Sequence, residues 1–156
     1  MNIIQQLEKE HMEELGKEVP EFAEQHFGDW EGLTWSELAK VGNSTAFWLA
    51  PAEERAPNGE SWLDVYHRTR RAKTALTKEH RGKDIICVAH GGSIRAAVAT
   101  ALDLRPAQAL TLSIENWSVT RLDHFEYKDI DGVSKEGWRL CHLNLSPTAL
   151  VRNGKR

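Results

Sequence analysis

The sequence predicts an α/β fold, a mostly parallel sheet flanked by helices with antiparallel strands added late. Three observations point to it. The run Ile85-Ile86-Cys87-Val88-Ala89 is wholly apolar and ends in His90-Gly91-Gly92, as a strand covered on both faces would. Helical apolar spacing lies on either side: Trp62, Val65, Tyr66, Thr69, Ala72 and Leu76 before it, and Ile94, Ala97, Val98, Ala101 and Leu102 after it. From about residue 109 the pattern turns to extended segments, with Asp131-Gly132 as a hairpin-type turn.

The elements follow in order. Residues 1–18 read as an N-terminal helical segment, with Ile3, Ile4, Leu7, Met12 and Leu15 loosely on one face. Residues 19–23 read as extended, because Pro20 disfavours helix at Val19. Residues 27–33 are a turn-rich loop with Gly28 and Gly32. Thr34 and Glu37 have capping-box spacing and open a helix over 35–41, closed by Gly42. Phe47-Trp48-Leu49 suggests one helical turn before a loop over 51–60. Ser61 and Asp64 cap the longest helix, 62–80, stopped at Gly82. A strand over 84–89 leads through Gly-Gly into a helix over 93–103, which ends at Arg105-Pro106. Strands are expected over 109–113, 118–127 and 138–145, and a frayed tail over 152–156.

The length of 156 residues fits a single domain, 1–156. A net charge of −3 leaves no basic stripe for a nucleic-acid backbone. The longest apolar run is five residues, far short of the ~20 that span a bilayer. The N-terminus has neither the basic start nor the apolar stretch of a secretory signal, so the expected location is cytoplasmic. Cys87 and Cys141 then read as free thiols, with Cys87 a small buried hydrophobe.

Two stretches could carry chemistry. His90 stands at the carboxyl end of the expected strand, where open α/β sheets bind ligands. Gly91 and Gly92 let the backbone approach a ligand, and the following helix offers free N–H groups and a partial positive charge to an anion. The competing reading makes His90 a helix cap and Gly-Gly a tight turn. The second stretch, residues 24–32, carries Glu24, Asp29 and Glu31 with His26 among aromatics. A carboxyl group held against an apolar wall can act as a general acid; the alternative is a solvated turn capped by Trp30.

Residues 57–61 read as a turn and an N-cap, and Arg68, Arg70 and Arg71 as solvated. Four of the six Trp fall between Trp30 and Trp62, which reads as packing around irregular loops and not as a base-stacking surface. No His or Cys spacing marks a metal site, and no glycine-rich phosphate loop or Ser nucleophile elbow is present. No metal and no cofactor is expected.

Taken in order, four segments resemble the histidine phosphatase superfamily, whose fold is the phosphoglycerate-mutase-like three-layer α/β/α sheet, mostly parallel with an antiparallel late strand. They are residues 22–32 (Phe-Ala-Glu-Gln-His-Phe-Gly-Asp-Trp-Glu-Gly), residues 58–61 with the Arg68 helix, residues 88–95 (Val-Ala-His-Gly-Gly-Ser-Ile-Arg) and residues 116–120 (Asn-Trp-Ser-Val-Thr). The Phe-Gly-Asp-Trp-Glu-Gly wording is most similar to the bacterial α-ribazole phosphatase and small-phosphatase branch. The resemblance implies hydrolysis of a small phosphorylated molecule through a phosphohistidine. It makes His90 the second histidine of the phosphate pocket, beside Gly91 and Gly92. Glu24, four residues before Gly28, becomes the proton donor, and Glu31 falls outside that spacing.

The family nucleophile belongs to an Arg-His-Gly motif on the first strand, and this sequence contains no Arg-His-Gly. The resemblance therefore implies an N-terminally truncated fold, inactive or incomplete as given. The alternative is a non-catalytic anion-binding or scaffold protein derived from that fold. Three further expectations follow. Residues 85–89 form a central strand. Glu24, and not Glu31, approaches His90. The missing strand is compensated by a homodimer that swaps to fill the gap or by residues 2–15 packed over it, or its absence shows as poor solubility.

Overall fold

Side-chain caps fix where the helices of the first half begin. The computed structural model describes residues 16–41, Phe47 and residues 51–146. Helix α1 (Trp35–Leu38) opens at Thr34, whose hydroxyl accepts the Glu37 N–H while the Glu37 carboxylate accepts the Thr34 N–H. It is a single turn, shorter than the helix expected over 35–41. Helix α2 (Trp62–Glu79) opens the same way at Ser61 and Asp64. Trp62, Val65, Tyr66, Thr69 and Ala72 are its buried residues; a spacing of three and four puts them on one face.

Helix α3 (Gly91–Ala101) buries Gly92, Ser93, Ala96, Val98 and Ala99. These small residues let it lie close against α2. A single turn, α4 (Pro106–Ala109), closes the end of this layer. Ala52, Trp62, Val65, Tyr66, Ala96, Ala99 and Ala109 form one core. Two of its aromatics satisfy their polar ends as they bury: the Trp62 indole N–H donates to the Pro106 carbonyl at 2.9 Å and the Tyr66 hydroxyl to the Leu104 carbonyl at 3.3 Å. A second cluster of Trp30, Phe47 and Ala56, joined by Phe27 and Leu38, packs the loops before α2. Trp30 and Phe47 meet edge to face at 5.1 Å.

The end of the described chain is a hairpin. Strands β1 (Val119–Lys128) and β2 (Ser134–Leu145) pair antiparallel, with Leu122 opposite Leu140 and Lys128 opposite Ser134. The Asp129 carboxylate accepts the N–H groups of Asp131 and Val133, and Gly132 takes φ +77°. Lys73 of α2 lies 4.2 Å over the Trp138 ring of β2, which ties the hairpin to the helical layer. Burial, with the neighbouring Arg70 charge, lowers the Lys73 ammonium to about 8.

Several expectations fail. Residues 84–90 form no strand: among the described residues the sheet is the antiparallel β1–β2 pair alone. Ile86 is 93% exposed and Val88 100%. An apolar run can be buried on two faces only where flanking strands and helices exist to cover it, and here no described strand lies on either side. Cys87 is consequently exposed and not buried, and both cysteines are free. Residues 109–113 are not extended, because Pro106 at the first helical position starts α4 and turns follow to Leu112. Pro20 likewise opens a 3-10 turn over Pro20–Phe22, and only Val19 is extended. Gly91 and Gly92 are the first residues of α3 and not a turn before it. The expected N-terminal helix up to residue 15, most of the turn at 47–49 and the tail lie outside the described residues. No described helix is long and apolar enough to cross a membrane.

Candidate functional site

The loop that carries Glu24 is fastened to α2 by one arginine. Arg68 uses all five guanidinium donors. Nε and Nη2 reach the two Glu60 carboxylate oxygens at 2.8 and 3.0 Å, Nη1 reaches the carbonyls of Glu21 and Ala23 at 2.6 and 2.9 Å, and Nη2 also reaches the Glu24 carbonyl at 3.0 Å. Arg68 is therefore not solvated, unlike its exposed neighbours Arg70 and Arg71. The signal was in the sequence: Arg68 stands three residues after Val65 and four before Ala72, on the apolar stripe of the helix.

Glu60 completes the clamp. Its carboxylate also accepts the His26 N–H, and its own N–H donates to the His26 carbonyl at 2.7 Å. Burial alone would raise the Glu60 carboxyl, but the Arg68 and His26 hydrogen bonds and the Arg68 charge outweigh it and hold the group below its ordinary 4.5. Asp29 and Asn58 join the same two loops, with both Asp29 oxygens within 3.1 Å of the Asn58 amide. At their crossing Gly28 (φ +56°) and Gly59 sit back to back, and a Cβ on either would strike the other loop's backbone. Glu31 folds back on its own loop and accepts the Phe27 N–H at 2.8 Å.

His90 arrives from the opposite side. It is the N-cap of α3, and the Ser93 hydroxyl accepts its N–H and donates to its carbonyl. The imidazole itself is exposed and makes no hydrogen bond among the described residues, so the ring does not cap the helix. Glu24 meets the same helix end. Its Oε2 accepts the Gly92 N–H at 3.2 Å, and a Cβ at Gly92 would fall on the Glu24 carboxylate, whereas one at Gly91 would meet nothing within 4 Å. Glu24, Ala89, His90, Gly91, Ile94 and the turn 114–118 line a cavity of about 190 Å³. Glu31 is not among them; it lines a shallower depression with Glu24, Glu60 and Arg68.

The turn 114–118 joins the site through contacts that no local sequence pattern marks. Ser118 brings a buried hydroxyl oxygen without a hydrogen-bond partner. Trp117 is 90% exposed and holds φ +62°, a conformation that costs a bulky L-residue roughly 1 kcal/mol or more. The turn is pinned by the Glu115 N–H, which donates to the Asn144 side chain at 2.7 Å, and by the Ser118 N–H, which donates to the Glu115 carbonyl. In the sequence, residues 116–118 are marked only as the start of the fourth resembling segment, 116–120.

Chemically, the helix end, an unbonded imidazole and a free hydroxyl are hydrogen-bond donors around one small cavity, which Glu24 and Glu115 also line. That set suits a compact anion. No group of three or more His, Cys, Asp or Glu side chains that could hold a metal occurs among the described residues.

Comparison with known proteins gives a consistent result. The sequence model of the histidine phosphatase superfamily (branch 1) matches residues 4–132. A 2,3-bisphosphoglycerate-dependent phosphoglycerate mutase from Methanococcus vannielii is 32% identical over 127 residues, which cover 76% of this chain and 53% of the mutase. Among solved structures, a mycobacterial glucosyl-3-phosphoglycerate phosphatase is similar with a TM-score of 0.65 and 31% identity, over 82% of this chain and 64% of that one. An α-ribazole phosphatase from Shigella flexneri shares the fold with a TM-score of 0.67 at 20% identity, over 81% of this chain and 59% of that one. The chain spans about half, or less, of the length of the curated relatives it matches.

Proposed function

This chain belongs to the histidine phosphatase superfamily and has its phosphoglycerate-mutase-like α/β fold, and from that premise we propose that it binds the phosphoryl group of a small phosphomonoester at the amino end of α3. The observation that carries this reading is the meeting of Glu24 and His90 at one helix end, through the Gly92 N–H. The Glu24 carboxylate accepts the Gly92 N–H as an anion would. An arriving phosphoryl oxygen displaces it from Gly92, His90 and Ser118 donate to the remaining oxygens, and the released Glu24 carboxylate, once it takes a proton from solvent, is the group that can donate to the ester oxygen. The names of the relatives, a phosphoglycerate mutase and a glucosyl-3-phosphoglycerate phosphatase, support a phosphate ester as the ligand.

Turnover is a separate matter. Covalent phosphoryl transfer needs a nucleophile, and the family's Arg-His-Gly motif does not occur in this sequence. The 156-residue chain by itself is therefore proposed to bind without hydrolysing. Calorimetric titration with inorganic phosphate, for wild type, His90→Ala and Glu24→Gln, tests the site. Binding that weakens at least tenfold in His90→Ala supports it, and binding indifferent to His90 refutes it. Hydrolysis of an aryl phosphate at pH 5 to 7 tests the second clause. Robust turnover that disappears in His90→Ala would make His90, or a histidine such as His26 recruited beside it, the nucleophile.

A further inference from the structure

Trp117 has no use in the reading above, yet the fold presents it at some cost. Its indole is 90% exposed and stacks on no described ring. Its backbone is left-handed, at φ +62°, where glycine or asparagine would sit with less strain. The turn is not free to relax, because Asn144, itself at φ +56°, holds Glu115 across from β2. A bulky residue kept in such a conformation and given nothing to pack against is a group displayed outward. Its position decides toward what: Trp117 stands with Ser118 on the rim of the cavity that His90, Gly91 and Glu24 line.

The size of that cavity supplies the second half of the argument. At about 190 Å³ it is smaller than the ~300 Å³ and above of sites that enclose a whole organic ligand. It has room for a phosphoryl group and the first atoms of the arm behind it. The remainder of a ligand extends past the lining, and Trp117 is the aromatic side chain on that lining. A flat ring there gains offset stacking on the indole face; an acyclic polyol arm gains little, since water already solvates it.

We propose that Trp117 is the stacking wall of a second subsite, and that the phosphomonoester bound here carries an aromatic or heteroaromatic ring beyond its phosphate. The proposal rests on the phosphate-site reading above, and three probes separate the two: inorganic phosphate, glycerol phosphate (an arm without a ring) and phenyl phosphate. Each is titrated calorimetrically into the 156-residue chain. Phenyl phosphate is expected to bind about fivefold more tightly than glycerol phosphate. In Trp117→Ala and in Trp117→Gly, which suits the left-handed backbone, the ratio should fall to about one, while Trp117→Phe keeps most of it. Phosphate binding with no ring preference in wild type, or with the same preference in both ring-deleted variants, overturns the subsite and leaves the phosphate site standing. Failure of all three probes to bind wild type overturns both.

Discussion

Glu24 and His90 reach one cavity on very different backbones. Glu24 rides a loop that is held everywhere: five Arg68 hydrogen bonds, the Glu60 clamp, the Asp29–Asn58 contact and the back-to-back glycines 28 and 59. Residues 85–88, which lead to His90, are apolar and exposed, with no sheet partner among the described residues. The polar loop is thus the more fixed of the two, and the hydrophobic segment the less. Apolar character alone orders nothing. It stabilises only when neighbours remove it from water, whereas the acid loop brings its own partners in complementary pairs.

The sharpest way to break this contrast is at the glycine crossing. Gly28→Ala adds a Cβ against the backbone of residues 57–59 at a positive φ, and should cost about 3 kcal/mol or more, read as a lower urea midpoint. A loss under about 1 kcal/mol would mean that the two loops are not locked. Arg68→Met comes next. It keeps the apolar stem but removes five hydrogen bonds from Glu60 and the carbonyls of Glu21, Ala23 and Glu24, for an expected loss of roughly 2–3 kcal/mol.

The same variant carries a pH signature. Because the folded Glu60 carboxyl is held below its ordinary 4.5, its contribution to stability is full above that value and is lost as pH falls through the lowered folded value. Between pH 6 and 3 the wild-type urea midpoint should therefore drop more steeply than that of Arg68→Met. Parallel slopes would remove Glu60 as the source.

A smaller effect should distinguish the two glycines of α3. Gly92→Ala pushes the end of the flexible Glu24 side chain aside, so stability should change by less than about 1 kcal/mol while phosphate affinity falls. Gly91→Ala meets nothing and should leave stability within about the same bound, since alanine is the better helix former. The smallest effect belongs to the bare segment. Val88→Thr should lie within about 0.5 kcal/mol of wild type, whereas Val98→Thr, fully buried in α3, should cost about 1–3 kcal/mol. Equal losses at the two valines would show that residues 84–89 are covered in solution, and a change in sedimentation on Val88→Thr would identify a second copy as the cover.

What the sequence determined by itself is what depends on neighbours three or four residues away. The Thr34–Glu37 and Ser61–Asp64 caps, the buried face of α2 and the Asp131-Gly132 turn are each a local contest between a side chain and the adjacent backbone. Each could be read directly from the residues, and the order of four such segments was enough to identify the family. The tertiary structure decided whatever needed a distant partner. The spacing of Arg68 puts it on the buried stripe of α2, but its partners Glu21, Ala23 and Glu24 lie more than forty residues upstream and only the fold brings them to it. The site gained Trp117 and Ser118 because β2 pins their turn through Asn144. Residues 85–89 carry the pattern of a buried strand, but a strand is completed by hydrogen bonds to other strands, and its own residues cannot supply them.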